Sequence, residues 1–213
     1  EIGVRLVGSE MCIRDRLNPH ADGTFTLDGA DSSSFSLQQW RRNVAYLPKK
    51  PMLMGDSVAD TIRLPWTLAV RRADEASAPD DHAATGKKTS ARRGRFSRLF
   101  RSEQSQAKLA LPDQLIRNTL DAMGCEDIDL ARAPHDLSGG QAARVSLART
   151  LLTRPAVLLA DEVDAGLDDD NADKVASIMA SAAAGGMAIV RIRHRPPDGR
   201  STRIVTLSSG RLS

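Results

Sequence analysis

The sequence predicts an α/β domain whose sheet is mostly parallel. From residue 17 onward, short apolar runs alternate with segments of helical periodicity, as they do in chains that wind helices around a parallel sheet. The run Val-Leu-Leu-Ala at 157–160 is continuously apolar, which is typical of a strand buried on both faces. A composition of 41% hydrophobic and 27% charged residues over 213 positions fits one globular domain.

The first half of this domain contains two predicted strands and two predicted helical segments. In chain order they cover residues 24–27, 36–43, 44–47 and 56–66. Pro48 stops the second strand, and the last helical pattern ends around Pro65.

The second half continues the alternation of helices and strands. Helices are predicted over 111–123, from 138 to about 152 and over 171–184, with strands at 157–160, 188–192 and 203–207. The first of these helices is predicted to end at Gly124 and to bury one face, formed by Leu115, Ile116, Leu120 and Met123.

Two segments fall outside this pattern. Residues 1–16 read as a non-native leader, because they look like translated sequencing-adapter text and lead into no turn. A short strand is the alternative, since Ile2, Val4 and Leu6 alternate. Residues 71–110 are rich in Ala, Ser, Asp, Lys and Arg and are predicted to form a mobile insertion.

Composition also excludes several classes of protein. No apolar stretch approaches the roughly 18 residues that a membrane span needs, so any membrane role would come through a partner. The two cysteines, without a CxxC pair, indicate neither a disulfide framework nor a zinc site and fit a reducing cytosol. A formal net charge of +3 is too small to indicate nucleic-acid binding.

Positive charge is concentrated in residues 87–101, which contain seven basic side chains and no acidic one. With Phe96, Leu99 and Phe100 this run fits a short basic amphipathic helix on anionic lipid. A solvated loop is the alternative reading of such a charge run. Few aromatic residues interleave the basic ones, so base stacking on nucleic acid lacks support.

Two motifs carry the chemistry. Leu-Ser-Gly-Gly-Gln at 137–141 opens a helix with two adjacent glycines, where backbone N–H groups and the helix dipole can meet a phosphate. An ordinary helix cap is the alternative. Twenty residues later the apolar strand ends in Asp161-Glu162, a carboxylate pair suited to holding Mg²⁺ and positioning water. An acidic pair that merely starts a loop is the alternative there.

In this order and spacing, the two motifs resemble the signature sequence and Walker B strand of ABC transporter ATP-binding subunits. The resemblance implies a P-loop NTPase-like ABC cassette over residues 17–213, with helices on both sheet faces and a helical subdomain region at 67–136. It also implies ATP and Mg²⁺ as cofactors and ATP hydrolysis coupled to transport as the activity.

The resemblance further implies a role for individual residues. Contact with ATP bound to a second subunit is implied for Ser138, Gly139, Gly140 and Gln141. Asp161 matches the Mg²⁺-positioning carboxylate, and Glu162 matches the general base. Asp168 matches an acid at the family's dimer interface, and His194 matches the switch histidine that bonds the γ-phosphate.

Three features depart from the family pattern. Lys49, in Tyr-Leu-Pro-Lys-Lys-Pro at 46–51, stands where the Q-loop has a metal-contacting glutamine; an ammonium repels a metal but can pair with a phosphate. Arg193 and Arg195 flank His194, where the family more often has the sequence Thr-His-Asp or Thr-His-Arg. The phosphate-cradling GxxxxGK[ST] loop is absent, so the resemblance implies a truncated cassette, inactive by itself.

Partners follow from the same resemblance. It implies an integral-membrane permease, a second ATP-binding subunit in a homodimer, and a place on the cytoplasmic face of the plasma membrane. Residues 55–66, together with Asp-Glu-Val-Asp-Ala at 161–165, resemble the bacterial branch paired with an iron-export-type permease. A non-catalytic regulatory cassette, or a non-transport ABC protein acting on nucleic acid or ribosomes, are the alternatives.

Overall fold

A computed structural model describes residues 25–68, 107, 110–208 and 211–212. The strands are β1 (Thr26–Leu27), β2 (Ala30–Asp31), β3 (Val44–Leu47), β4 (Val157–Asp161), β5 (Ala188–Ile192), β6 (Leu207–Ser208) and β7 (Arg211–Leu212). The α-helices are α1 (Leu37–Asn43), α2 (Val58–Thr67), α3 (Asp113–Ala122), α4 (Gly139–Leu152) and α5 (Asp169–Ala184). None of the helices in these ranges combines the length and apolar character that crossing a membrane requires.

A three-stranded parallel sheet in the order β3-β4-β5 organises the domain, which confirms the predicted parallel α/β fold. Leu47 of β3 lies opposite Ala160 of β4, and Asp161 lies opposite Ile192 of β5. The carboxyl ends of all three strands therefore meet at one edge of the sheet, and the segments after them begin side by side.

Hydrophobic clusters cover both faces of this sheet. Successive strand residues point to opposite faces, so Leu158 and Ala160 join a large cluster with residues of α2, α3, α4 and α5. Val157 and Leu159 join a smaller cluster on the other face with Phe25, Trp40 and Val44. The strand β4 is therefore buried on both faces, as its continuously apolar sequence predicts.

Local sequence signals explain where the helices begin. Ser36 caps α1 and Ser138 caps α4, each in a capping box with a glutamine three residues on. Ser57 caps α2, which continues to Thr67, slightly beyond its predicted end near Pro65.

Two predictions about packing and strands are wrong. Leu115 is 42% exposed, because the buried stripe of α3 is formed by Ile116 and Leu120 at i,i+4 spacing. Residues 203–206 form no strand, and Ile204 is 62% exposed. Two adjacent apolar residues, Ile204 and Val205, do not form a strand unless a neighbouring strand pairs with them. The strand β6 begins only at Leu207.

Several predicted segments lie outside the described residues, namely the leader at 1–16 and the basic run at 87–101. The insertion predicted at 71–110 reaches the described residues only at Ala107 and Ala110. Ala107 is buried, and its carbonyl oxygen accepts a hydrogen bond of 2.9 Å from the backbone N–H of Leu111. Packing thus begins before residue 111, earlier than predicted.

Candidate functional site

Three side chains predicted as site residues meet at the carboxyl edge of the sheet. Lys49 follows β3, Glu162 follows β4 and His194 follows β5. The Lys49 Nζ atom lies 2.6 Å from Glu162 Oε2, and His194 Nε2 lies 3.0 Å from Glu162 Oε1. The Glu162 side chain is 16% exposed, whereas those of Lys49 and His194 are 55% and 81% exposed. The carboxylate is therefore sheltered between two partners that face solvent.

The backbone of Glu162 is held in an unusual conformation. Its φ is +48°, a left-handed value that costs a non-glycine residue free energy and needs support from its surroundings. Two hydrogen bonds supply that support. The Glu162 N–H donates to the carbonyl of Ile192 at 3.0 Å, and its carbonyl accepts from the N–H of Ala165 at 2.9 Å. The chain thus turns sharply as β4 ends, and the turn brings the side chain between Lys49 and His194.

Charge reinforces this arrangement. The hydrogen bond from Lys49, followed by its positive charge, lowers the pKa of Glu162, and His194 lowers it further. In return, the hydrogen bond and the charge of Glu162 raise the pKa of Lys49, with Asp161 adding a smaller contribution. Glu162 is therefore a carboxylate, and Lys49 an ammonium, throughout the physiological pH range.

Asp161 is the last residue of β4, and its Oδ2 accepts a hydrogen bond of 3.2 Å from the hydroxyl of Tyr46 on β3. In the described part of the chain, no group of three or more His, Cys, Asp or Glu is placed to hold a metal ion. Mg²⁺ in nucleotide sites often takes only one or two carboxylates, with phosphate and water completing its shell. Asp161 fits that mode as a single hard-oxygen ligand. Glu162 does not, because both its oxygens already have nitrogen partners.

The signature turn forms a second cluster. The Ser138 Oγ accepts from the N–H of Gln141 at 3.2 Å, and the N–H of Ser138 donates to Gln141 Oε1 at 3.0 Å. Gln141 Nε2 also donates to Asp127 Oδ2 at 2.8 Å. The cap predicted as the alternative role of this turn is therefore present. A phosphate contact by these residues stays a prediction.

The two glycines of the turn differ in their surroundings. A methyl group added at Gly139 would meet nothing within 4 Å, whereas one added at Gly140 would lie 3.1 Å from Leu167 Cδ2. The start of α4 is thus packed against the loop that follows β4, at residues 163–167. Gly139 leaves its stretch of backbone open to approach from outside.

Asp168 is the N-cap of α5. It accepts hydrogen bonds from the backbone N–H and the side-chain amide of Asn171, at 2.8 Å and 2.6 Å. These two bonds, the backbone one first, lower its pKa. A role for Asp168 between subunits stays a prediction beside this structural one.

An arginine–aspartate cluster, which the sequence did not predict, is formed by Asp164, Arg191, Arg193 and Asp198. Asp164 is 2% exposed, and its Oδ2 lies 2.8 Å from Arg193 Nε and 3.5 Å from Arg191 Nη2. Asp198 Oδ2 lies 2.7 Å from an Nη1 atom of each arginine. The available signal was the spacing of two between the arginines, which puts both on one face of an extended segment.

Arg195 adds a further tie between these loops. Its Nη2 donates to the carbonyl of Leu167 at 2.6 Å, and its Nη1 lies 3.3 Å from Asp169 Oδ1. The arginines on both sides of His194 thus bind the loop at 163–168. The two arginines that depart from the family's usual sequence therefore hold this loop in place.

Comparisons with known proteins agree with one another. The ABC transporter family model matches residues 11–165. The probable iron export ATP-binding protein FetA of Escherichia coli K12 is 29% identical over 153 residues, which are 72% of this chain and 51% of that protein. The energy-coupling factor transporter ATP-binding protein EcfA3 of Oenococcus oeni is 34% identical over 99 residues, 46% of this chain and 34% of that protein. The chain thus spans about half or less of these relatives.

A solved structure extends the comparison to the fold. The dimeric post-hydrolysis state of the ATP-binding cassette MJ0796, bound to ADP and Pi, aligns with a TM-score of 0.59 at 20% sequence identity. The alignment covers 87% of this chain and 68% of that one. At this identity the match shows the shared fold, which is that of an ABC cassette.

Proposed function

The chain belongs to the ABC transporter family, and on that premise we propose that it is the ATP-binding and ATP-hydrolysing subunit of a transporter. The observation that carries the proposal is the meeting of Lys49, Glu162 and His194 at the edge where three parallel strands end. Ligand sites of open α/β sheets occur at this edge.

Glu162 is the proposed general base. A sheltered carboxylate at the end of a buried strand can accept the proton of a water that attacks a phosphoryl group. His194, 81% exposed and within hydrogen-bonding distance of Glu162, is the proposed contact to the terminal phosphate. Mg²⁺, held by Asp161, would supply charge neutralisation to the phosphates.

The composite site of the proposal needs a second subunit. Ser138, Gly139, Gly140 and Gln141 would face ATP on the partner, and Asp168 would lie at the interface. The open backbone at Gly139 and the start of a 14-residue helix at this point favour contact with a phosphate. A homodimer is the simplest assembly that gives each subunit such a site.

An ATP-binding and hydrolysis assay tests the proposal. We expect the 213-residue chain to bind ATP. In the full-length protein, Glu162→Gln should retain ATP binding while losing about 100-fold or more in hydrolysis rate, the usual scale for a general base. Glu126→Gln is the matched control, because Glu126 is an exposed glutamate on a different loop. Equal hydrolysis rates for Glu162→Gln and the unmodified full-length protein would refute the assignment of the base.

The proposed membrane partner is a permease, reached from the cytoplasmic face of the plasma membrane. Met52 and Met54, in the loop after β3, are 72% and 57% exposed, and adaptable methionines suit a protein–protein contact. Iron export is the proposed transport process, by analogy with the printed name of FetA. Loss of permease co-purification in a Met52→Ser/Met54→Ser variant would support this contact, and unchanged co-purification would contradict it.

Lipid contact through residues 87–101 is a further proposal. Its test is co-sedimentation with anionic and neutral vesicles. Equal binding to both would contradict it.

A regulatory, non-catalytic cassette is the second candidate, and one observation favours it. Both oxygens of Glu162 are engaged, by Lys49 and by His194, and these two contacts make the carboxylate less available as a base. If Lys49 holds the cassette inactive, Lys49→Gln would raise the hydrolysis rate of the full-length protein. If Lys49 is part of a working site, the rate would fall or stay the same.

A further inference from the structure

We propose that Lys49 is a built-in cation of the nucleotide site, which neutralises phosphate charge and makes ATP binding only weakly dependent on Mg²⁺. This inference rests on the proposed function, because it concerns the same site, and it adds a ligand class and an ionic requirement to it. The ligand is the triphosphate of a nucleotide, and the residue that recognises it is a lysine on the loop after β3.

The position of Lys49 is the first argument. Its ammonium lies 2.6 Å from Glu162 Oε2, and the charge of Asp161, the carboxylate at the end of β4, also acts on it and raises its pKa. A divalent cation brought to these two carboxylates would meet a positive charge already in place, and like charges at such separations repel. The ammonium therefore occupies part of the electrostatic role that a metal ion would fill.

Two other basic groups at this edge, among the residues that the structure describes, are committed elsewhere. Arg191 and Arg193 pair with Asp164 and Asp198. Both arginine side chains are well buried, at 12% and 16% exposure. Lys49, with 55% of its side chain exposed, is the cation of this set that an incoming phosphate can reach.

Lysine chemistry allows the ammonium to serve both partners. It carries three N–H donors on a flexible four-carbon stem. One donor suffices for Glu162, so a phosphate oxygen can be bound by another without breaking the existing pair. Because Glu162 keeps its second partner, His194, the carboxylate stays held even if Lys49 turns toward a ligand.

The test is equilibrium binding of ATP by calorimetry to the full chain, in buffer with excess Mg²⁺ and in buffer with EDTA. Four proteins are compared: the unmodified chain, Lys49→Gln, Lys49→Arg and Lys50→Gln. Lys50 is the matched control, since it is an exposed lysine one residue away. Thermal unfolding of each variant checks folding, and the exposure of Lys49 predicts little change.

We expect the Kd of the unmodified chain to differ by less than about threefold between the two buffers. Lys49→Gln should bind about tenfold or more weakly in EDTA and recover in Mg²⁺, as loss of one close charge contact predicts. Lys49→Arg and Lys50→Gln should behave like the unmodified chain, because each keeps a cation at position 49.

The contrary outcomes separate this inference from the proposed function. If the unmodified chain binds ATP in Mg²⁺ but loses binding in EDTA as steeply as Lys49→Gln, the inference is wrong and the ATP-binding function stands. Tighter binding by Lys49→Gln in EDTA would show that Lys49 blocks the site, which also overturns the inference. No ATP binding in either buffer would overturn both.

Discussion

Asp164→Asn is the substitution that most directly tests how the site is held. Asp164 is 2% exposed and faces Arg193 at 2.8 Å and Arg191 at 3.5 Å. The change removes one negative charge while nearly preserving shape. It leaves two well-buried guanidinium groups with Asp198 as their remaining carboxylate partner.

The size of the effect follows from the burial of the cluster. Removing one partner of a buried ion pair costs about 3–5 kcal/mol, because the other charge stays buried without compensation. Here both arginines keep their bonds to Asp198, and the amide oxygen of the new Asn can still accept a hydrogen bond, so we expect a cost of about 3 kcal/mol, at the lower end of this range. In the native cluster Arg191 already has two buried nitrogens, Nε and Nη2, for which no hydrogen-bond acceptor is found among the described residues. The cluster therefore has few other acceptors to compensate for the lost carboxylate.

Urea unfolding followed by tryptophan fluorescence measures this cost. Trp40 is 3% exposed, so its emission will shift to the red as the domain unfolds. With an m-value of about 2 kcal/mol/M, a loss of about 3 kcal/mol lowers the midpoint by about 1.5 M. Asp173→Asn is the control, because Asp173 pairs with Arg200 at 2.8 Å but is 62% exposed. Its midpoint should move by less than about 0.5 M, as expected for an exposed pair. Equal shifts for the two variants would refute the reasoning from burial.

Three further predictions concern backbone and capping. Gly124→Ala should lower stability by about 1–2 kcal/mol in urea unfolding, because the φ of Gly124 is +69° and its new methyl would lie 2.8 Å from Lys174 Nζ; an unchanged midpoint would contradict this. Ser138→Ala removes the hydroxyl that caps Gln141 and should cost about 1 kcal/mol, while Ser138→Asp should restore the midpoint. Asp168→Asn keeps a capping side chain but loses the negative charge, so its melting temperature should be somewhat lower at pH 7. The lowered pKa of Asp168 means that its charge stabilises the fold above the unfolded pKa of 3.8 and ceases to do so as pH falls through the folded value. The melting temperature of the variant should therefore fall less on acidification to pH 3, and parallel curves would argue against that role.

Much of the fold could be predicted because its signals are local. The apolar run of β4 and the serine cap of α4 each depend on adjacent residues, and the structure places them at Val157–Asp161 and at Ser138. The convergence of segments after parallel strands follows from topology alone. Because β3, β4 and β5 are parallel neighbours, the segments that carry Lys49, Glu162 and His194 all begin at one edge of the sheet.

The missed features depend on contacts between distant segments. The pairing of Asp164 with Arg191 of β5 and with Arg193 joins segments about thirty residues apart, and sequence spacing alone does not reveal the partner of a charged residue. The burial of Leu115 was predicted wrongly because Leu115 and Ile116 are adjacent aliphatic residues, and only one of them can lie at the centre of the buried helix face. Which of them is buried depends on what packs against it.

The loop from residue 162 to 168 is held at each end and in its middle, and this separates two kinds of perturbation. Glu162 is fixed by hydrogen bonds to the backbone as well as by side-chain partners. Asp164 is buried against arginines, and Asp168 starts a helix. Since Lys49 contributes a largely exposed contact to a loop that other bonds already hold, its substitution should change ligand binding while leaving stability almost unchanged. Loss of the Asp164 charge should instead lower stability, because it loosens the loop before it alters any ligand contact. A Lys49→Gln variant as destabilised as Asp164→Asn would mean that the ammonium holds the loop itself, and the division between scaffold and ligand contact would fail.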